Sequence, residues 1–135
     1  MNRQEFVASR RRLDKTQSQM AGLLGISLKA AQSFEQGWRK VPFHIERHLL
    51  FILARSHGAG RGRRKKCWTA RNCPKKTKAH CPAWEFKLGH LCWFINGTVC
   101  RGAAQESWEK KMETCRNCDM FLSMMPEFLG APSSP

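Results

Sequence analysis

The chain has 135 residues, room for one ordinary domain or two very small ones. Its 24 lysines and arginines against 10 acids give a formal charge of +14, which calls for a polyanionic partner, either nucleic acid or an anionic membrane surface. The absence of any apolar run of about eighteen residues excludes a membrane-spanning helix, and the N-terminus has no secretory pattern, so the expected compartment is the cytoplasm.

Taken in chain order, residues 1–57 read as helical. Phe6, Leu13, Met20, Leu23, Leu24, Ile26, Phe34, Ile45, Leu49, Ile52 and Leu53 recur at amphipathic-helix spacing, without strand-like alternation. Thr16-Gln17-Ser18-Gln19 is a capping box, a hydroxyl followed three residues later by a glutamine. The helix it opens is expected to bury Met20, Leu23 and Leu24, with the small Ala21 where a second helix crosses. Gly25 permits a left-handed turn, Ile26 fills the space beneath it, and Ser27 caps a second helix from Leu28 to Gln36 that stops at Gly37. The outward face of that helix offers Leu28, Lys29, Gln32, Ser33 and Gln36. Pro42 suits the first turn of a further helix whose apolar face is Ile45, Leu49, Ile52 and Leu53. His44 and His48 lie one turn apart, a spacing metals use, but no cysteine is near them in sequence and they read as surface residues.

The run Thr16-Gln17, Met20-Ala21, Leu23-Leu24-Gly25-Ile26-Ser27, Phe34-Glu35 and Gly37 resembles the phage-repressor and Cro-like helix-turn-helix family. The resemblance reaches back to Arg10 and on through Pro42 to about Ala54. It implies a five-helix fold that binds double-stranded DNA, with Leu28, Lys29, Gln32 and Ser33 at the base edges. Lysine can hydrogen-bond guanine, glutamine can pair with adenine, and leucine can meet a thymine methyl. It also implies that Gln17 fixes a phosphate, that Arg39 and Lys40 beside Trp38 approach the backbone, and that spare apolar residues such as Leu50 and Phe51 serve a homodimer. The bare Ala30-Ala31 surface leaves few side chains for base readout.

Residues 58–66, Gly-Ala-Gly-Arg-Gly-Arg-Arg-Lys-Lys, read as a flexible basic linker able to lie along phosphates. All seven cysteines follow it: Cys67, Cys73, Cys81, Cys92, Cys100, Cys115 and Cys118. In a reducing compartment such a cluster points to metal or redox chemistry. Cys115 and Cys118 form a Cys-x2-Cys pair that can converge on one metal, and the helical pattern from Ser107 onward is not the strand a thioredoxin-like motif requires. Only one short pair is present, whereas zinc modules present two. The wide spacings, with Pro74 and Pro82 directly after Cys73 and Cys81, favour an iron–sulfur cluster, with zinc as the alternative and His80 and His90 as reserve ligands.

The segment Cys67-Trp68, Cys73-Pro74, Cys81-Pro82-Ala83-Trp84, Cys92-Trp93, Gly97-Thr98, Cys100 and Cys115-Arg116-Asn117-Cys118 resembles the bacterial two-CW domain, which implies a redox- or metal-sensing role. The expected fold is therefore mainly α. A five-helix repressor-like DNA-binding domain occupies 1–57, with the basic linker over 58–66. A small, irregular, metal-stapled cysteine-rich domain fills 67–122, and a tail over 123–135 is disordered at its end. The expected function is transcriptional regulation through DNA, with all seven cysteines as candidate ligands and no enzymatic activity. The rival readings are a purely structural metal, a thiol redox protein using Cys115 and Cys118, and an RNA-binding protein using the basic linker.

Overall fold

The computed structural model describes residues 1–57, 66–70, 72–100, 103–104 and 107–130. These form two units, Met1–Ser56 and His57–Pro135. The basic linker, apart from Lys66, and residues 131–135 of the tail lie outside the described residues. Among the described residues no helix is long and apolar enough to cross a membrane.

The front unit is four helices: α1 (Arg3–Arg12), α2 (Gln17–Leu24), α3 (Leu28–Gln36) and α4 (Phe43–Ser56). Each start has a local cause. In α1 the Asn2 side chain accepts from the Glu5 N–H at 2.8 Å, and the Glu5 carboxylate accepts from the Asn2 N–H at 3.0 Å. In α2 Thr16 and Gln19 repeat the same reciprocal cap at 3.1 and 3.0 Å. Gly25 then turns the chain at φ 67°, with the Ile26 N–H donating to the Ala21 carbonyl, and the Ser27 hydroxyl caps α3 by accepting from the Ala30 N–H. Gly37 ends α3 at φ 77°. The Pro42 carbonyl accepts from the Ile45 and Glu46 N–H groups at the head of α4.

Phe6, Met20, Ala31, Phe34, Leu49, Leu50 and Leu53 form the fully buried core, and the Phe6 and Phe34 rings meet edge to face at 5.6 Å. Complete burial of each large apolar side chain contributes about 1.5–3 kcal/mol. Three expectations need correction. The front unit has four helices among the described residues, not five, because α4 runs unbroken to Ser56 and the glycine-rich segment follows at once. Leu23 is exposed, since the buried face of α2 is Met20, Ala21 and Leu24, one and four residues from Met20. Leu50 is wholly buried, not spare for a dimer face: the buried side of α4 is the broad stripe Leu49, Leu50, Leu53 and Ala54, which leaves Ile52 half-buried at its edge.

The back unit is built from short pieces: α5 (Cys67–Ala70), α6 (Lys75–Lys78), α7 (Pro82–Glu85), a two-stranded antiparallel ladder of β1 (Val99–Cys100) and β2 (Ala103–Ala104), α8 (Trp108–Cys115) and α9 (Asp119–Met124). A 3₁₀ turn, Glu127–Leu129, closes it. Trp93, Phe121, Met124, Met125 and Leu129 are buried, with Trp93 and Phe121 edge to face at 6.4 Å. Packing therefore continues past residue 122, because Met124, Met125 and Leu129 supply the apolar surface that the cysteine-rich stretch lacks. Taken together the described residues are mainly helical, as expected, and the back unit is the less regular of the two.

Candidate functional site

In the front unit, α3 presents its first two turns outward. Leu28, Lys29 and Gln36 are exposed, and Gln32 and Ser33 are half-buried. The Ser33 hydroxyl donates to the Lys29 carbonyl at 2.9 Å, and the Ser33 carbonyl accepts from the Trp38 N–H. Trp38, Arg39 and Lys40 form the exposed loop after α3, with the Arg39 guanidinium 5.5 Å above the Phe34 ring and Trp38 the most exposed large apolar residue, at 78%.

The turn between α2 and α3 is braced by a cluster not foreseen from sequence. The Glu35 carboxylate accepts from both the Arg10 guanidinium and the Gln17 amide, linking α1, α2 and α3. Its side chain is only 8% exposed, so the Arg10 pair is desolvated enough to hold geometry. Gln17 is thus tied to the protein through one amide hydrogen and keeps a second donor at the head of α2. The signal was present in the sequence, since a charged Glu35 beside core Phe34 needs a partner, but the partner lies 25 residues away.

In the back unit, four of the seven candidate cysteines line one cavity of about 290 Å³: Cys67, Cys73, Cys81 and Cys100. They come from four separate pieces. Cys67 opens α5, where its N–H donates to the Gly89 carbonyl at 2.9 Å. Gly89 is required there, because a Cβ would lie 2.6 Å from that of Lys66. Cys73 lies just ahead of α6, Cys81 precedes Pro82 at the head of α7, and Cys100 sits in β1. Trp68 and Trp84 complete the wall edge to face at 4.9 Å, and the ammonium groups of Lys78 and Lys87 stand 4.2 and 3.9 Å from the Trp84 ring centre. Among the described residues, no three His, Cys, Asp or Glu side chains converge closely enough to grip a single ion.

Cys92, Cys115 and Cys118 are not in that wall. Cys92 and Cys115 are buried; Cys118 is half-buried at the cap of α9. The Cys92 thiol donates to the Cys67 sulfur, and this bond holds Cys67 down at about 7 while pushing Cys92 well above the usual thiol range. Burial pushes Cys115 up to about 11. Burial also raises Cys73, reinforced by neighbouring Cys81, Cys67 and Cys100. His44, His48 and His80 are exposed, and neither His80 nor His90 lines the cavity.

The residue most clearly missed from sequence is Lys111, only 1% exposed. Its ammonium donates to the Thr98 hydroxyl at 2.7 Å. Trp108, Lys111, Met112 and Cys115 are the buried side of α8, at spacings of three, four and seven from Trp108. A lysine on an apolar stripe was a legible sign.

No family model matches this chain, and no curated protein or solved structure was found to be similar to it.

Proposed function

We propose that the chain is a DNA-binding regulator whose front unit reads duplex DNA and whose back unit holds a metal centre. The observation that carries the DNA reading is the capped α2–Gly25–α3 turn, braced through Glu35, with Leu28, Lys29, Gln32 and Ser33 outward on a chain of charge +14. A helix displayed in this way can enter the major groove, where Lys29 and Gln32 have donors for base edges while Arg39, Lys40 and the basic linker meet phosphates.

For the metal, the four cavity thiols are the ligand set, narrower than the seven read from sequence. A zinc ion would draw its sulfurs to about 2.3 Å from one point. Thiols spaced around about 290 Å³, in a wall otherwise dominated by Trp68, Trp84, Pro74, Ala83 and Val99, suit the larger iron–sulfur cluster. Bound there, the cluster would supply a redox-sensitive staple for a unit made of very short elements, and its state would be linked to folding and so to DNA affinity. A thiol redox role for Cys115 and Cys118 has less support, because a thiol held at about 11 stays protonated near neutrality and is a poor nucleophile.

The test of the DNA reading is selection of a preferred duplex from a random pool, followed by affinity measurements on the double variant Lys29→Ala, Gln32→Ala. Affinity for the preferred duplex falls by roughly 10–100-fold or more, about 1–3 kcal/mol per lost base contact, while affinity for random duplex changes far less. Equal losses on both would reduce these residues to phosphate contacts.

A further inference from the structure

Charge is unevenly spread along the back unit. From 66 to 100, Lys66, Arg71, Lys75, Lys76, Lys78 and Lys87 stand against a single acid, Glu85. From 101 to 130 the balance reverses, with Glu106, Glu109, Glu113, Asp119 and Glu127 against Arg101, Lys110, Lys111 and Arg116. Folding gathers part of the first set onto one aromatic pair. The ammonium groups of Lys78, in α6, and Lys87, just past α7, meet the Trp84 ring centre at 4.2 and 3.9 Å. Trp84 packs edge to face on Trp68, and the Lys66 ammonium stands 5.5 Å from the Trp68 ring centre. Lys75 lies three residues before Lys78, on the same side of α6. Lys75, Lys76 and Lys87 are exposed, and among the described residues no carboxylate pairs with them or with Lys78. Like charges gathered in this way repel, and an anion lying across them relieves the repulsion. The indole also fixes where the ammonium groups stand, so less side-chain freedom is lost on binding.

We propose that the lysine face of Lys75, Lys76, Lys78 and Lys87 around Trp84 is a second DNA contact, which grips the phosphates of a duplex. The inference rests on the DNA reading above for the identity of the polyanion, and it is independent of any metal. Lysine ammonium groups act on phosphate as point charges, so this face adds affinity without reading sequence. An anionic membrane fits it less well, because the ring of Trp84, which could enter lipid, is already occupied by two ammonium groups. The face is carried on the same chain as α3, so a duplex held by one unit is presented to the other at high effective concentration.

The experiment measures the affinity of the full chain for preferred and random duplex across a series of salt concentrations. Wild type is compared with the triple variant Lys75→Gln, Lys76→Gln, Lys87→Gln, with the same three positions changed to arginine, and with Lys110→Glu on α8. The glutamine triple should bind both duplexes roughly 10–100-fold less well at about 0.1 M salt, with a log–log salt slope shallower by about 2–3. The arginine triple should keep the wild-type slope. Lys110→Glu lowers the net charge by two outside the face and should leave the slope unchanged. The pair Lys75→Gln, Lys76→Gln, which leaves Lys87 on its ring, should flatten the slope by about 1–2 and serves if the triple does not fold. An unchanged slope in the glutamine variants, with wild type still preferring one duplex, would overturn this inference and leave the front unit's DNA reading standing. An equal flattening in Lys110→Glu would make the effect one of net charge and overturn it as well. Capture of wild type by phosphatidylserine vesicles, lost in the triple while its DNA slope is unchanged, would give the face to a membrane instead. A wild-type chain that binds no duplex would remove the DNA reading, and this inference with it.

Discussion

Cys67 and Cys115 are the same chemical group in opposite settings. Cys67 receives a hydrogen bond from Cys92 and feels Lys111, so its thiolate is favoured down to about 7. Cys115 is buried on α8 and stays protonated up to about 11. The consequences for stability have opposite signs. The contribution of Cys67, whose folded value lies below the ordinary 9.0, is complete above 9 and lost as pH falls through about 7. That of Cys115, whose folded value lies above 9.0, is complete below 9 and lost as pH rises through about 11. In metal-free protein held between about 7 and 9, iodoacetamide should therefore modify Cys67 well before Cys115, as read by peptide mass spectrometry. Comparable rates at the two positions would mean that the Cys92 hydrogen bond does not persist in solution. None of this was legible in the sequence, where seven thiols at irregular spacing look alike. Their differences arise from contacts such as Cys67 with Cys92, 25 positions apart.

Among the elements, α2 and α3 show where sequence reading succeeds. The Thr16 and Ser27 caps and the Gly25 and Gly37 stops are local chemistry within three or four residues, and each appears where its residue type demands it. Leu23 and Leu50 show the limit, because which side of a short apolar run is buried depends on the neighbouring helices. Two glycines in this region should respond oppositely to alanine. Gly25 has open space around a built Cβ but a φ of +67°, so Gly25→Ala suffers backbone strain alone, about 1–2 kcal/mol. Gly22 lies within α2, also in open space and without that strain, so Gly22→Ala should stabilise by about 0.5–1 kcal/mol. Urea unfolding of the full chain followed by circular dichroism separates the two. A loss of stability in Gly22→Ala would show that something packs closely on that face of α2.

Over the whole molecule, composition pointed to two modules of different character, and the structure divides at Ser56, close to the glycine-rich stretch. The front unit was the more legible, because its stability follows from helical periodicity and caps. The back unit was less so: its cavity draws one thiol each from α5, the segment before α6, the head of α7 and β1, and no spacing rule relates them. The Cys-x2-Cys pair, the most conspicuous motif in the sequence, lies off the cavity, since Cys115 turns inward on α8 toward Lys111. That separation gives the account its most direct test. Iron and acid-labile sulfide are measured, with the absorption spectrum, on anaerobically loaded full-length Cys73→Ser and Cys118→Ser. The account predicts that Cys73→Ser loses the cluster while Cys118→Ser keeps wild-type content and colour. A cluster retained in Cys73→Ser and lost in Cys118→Ser would contradict it.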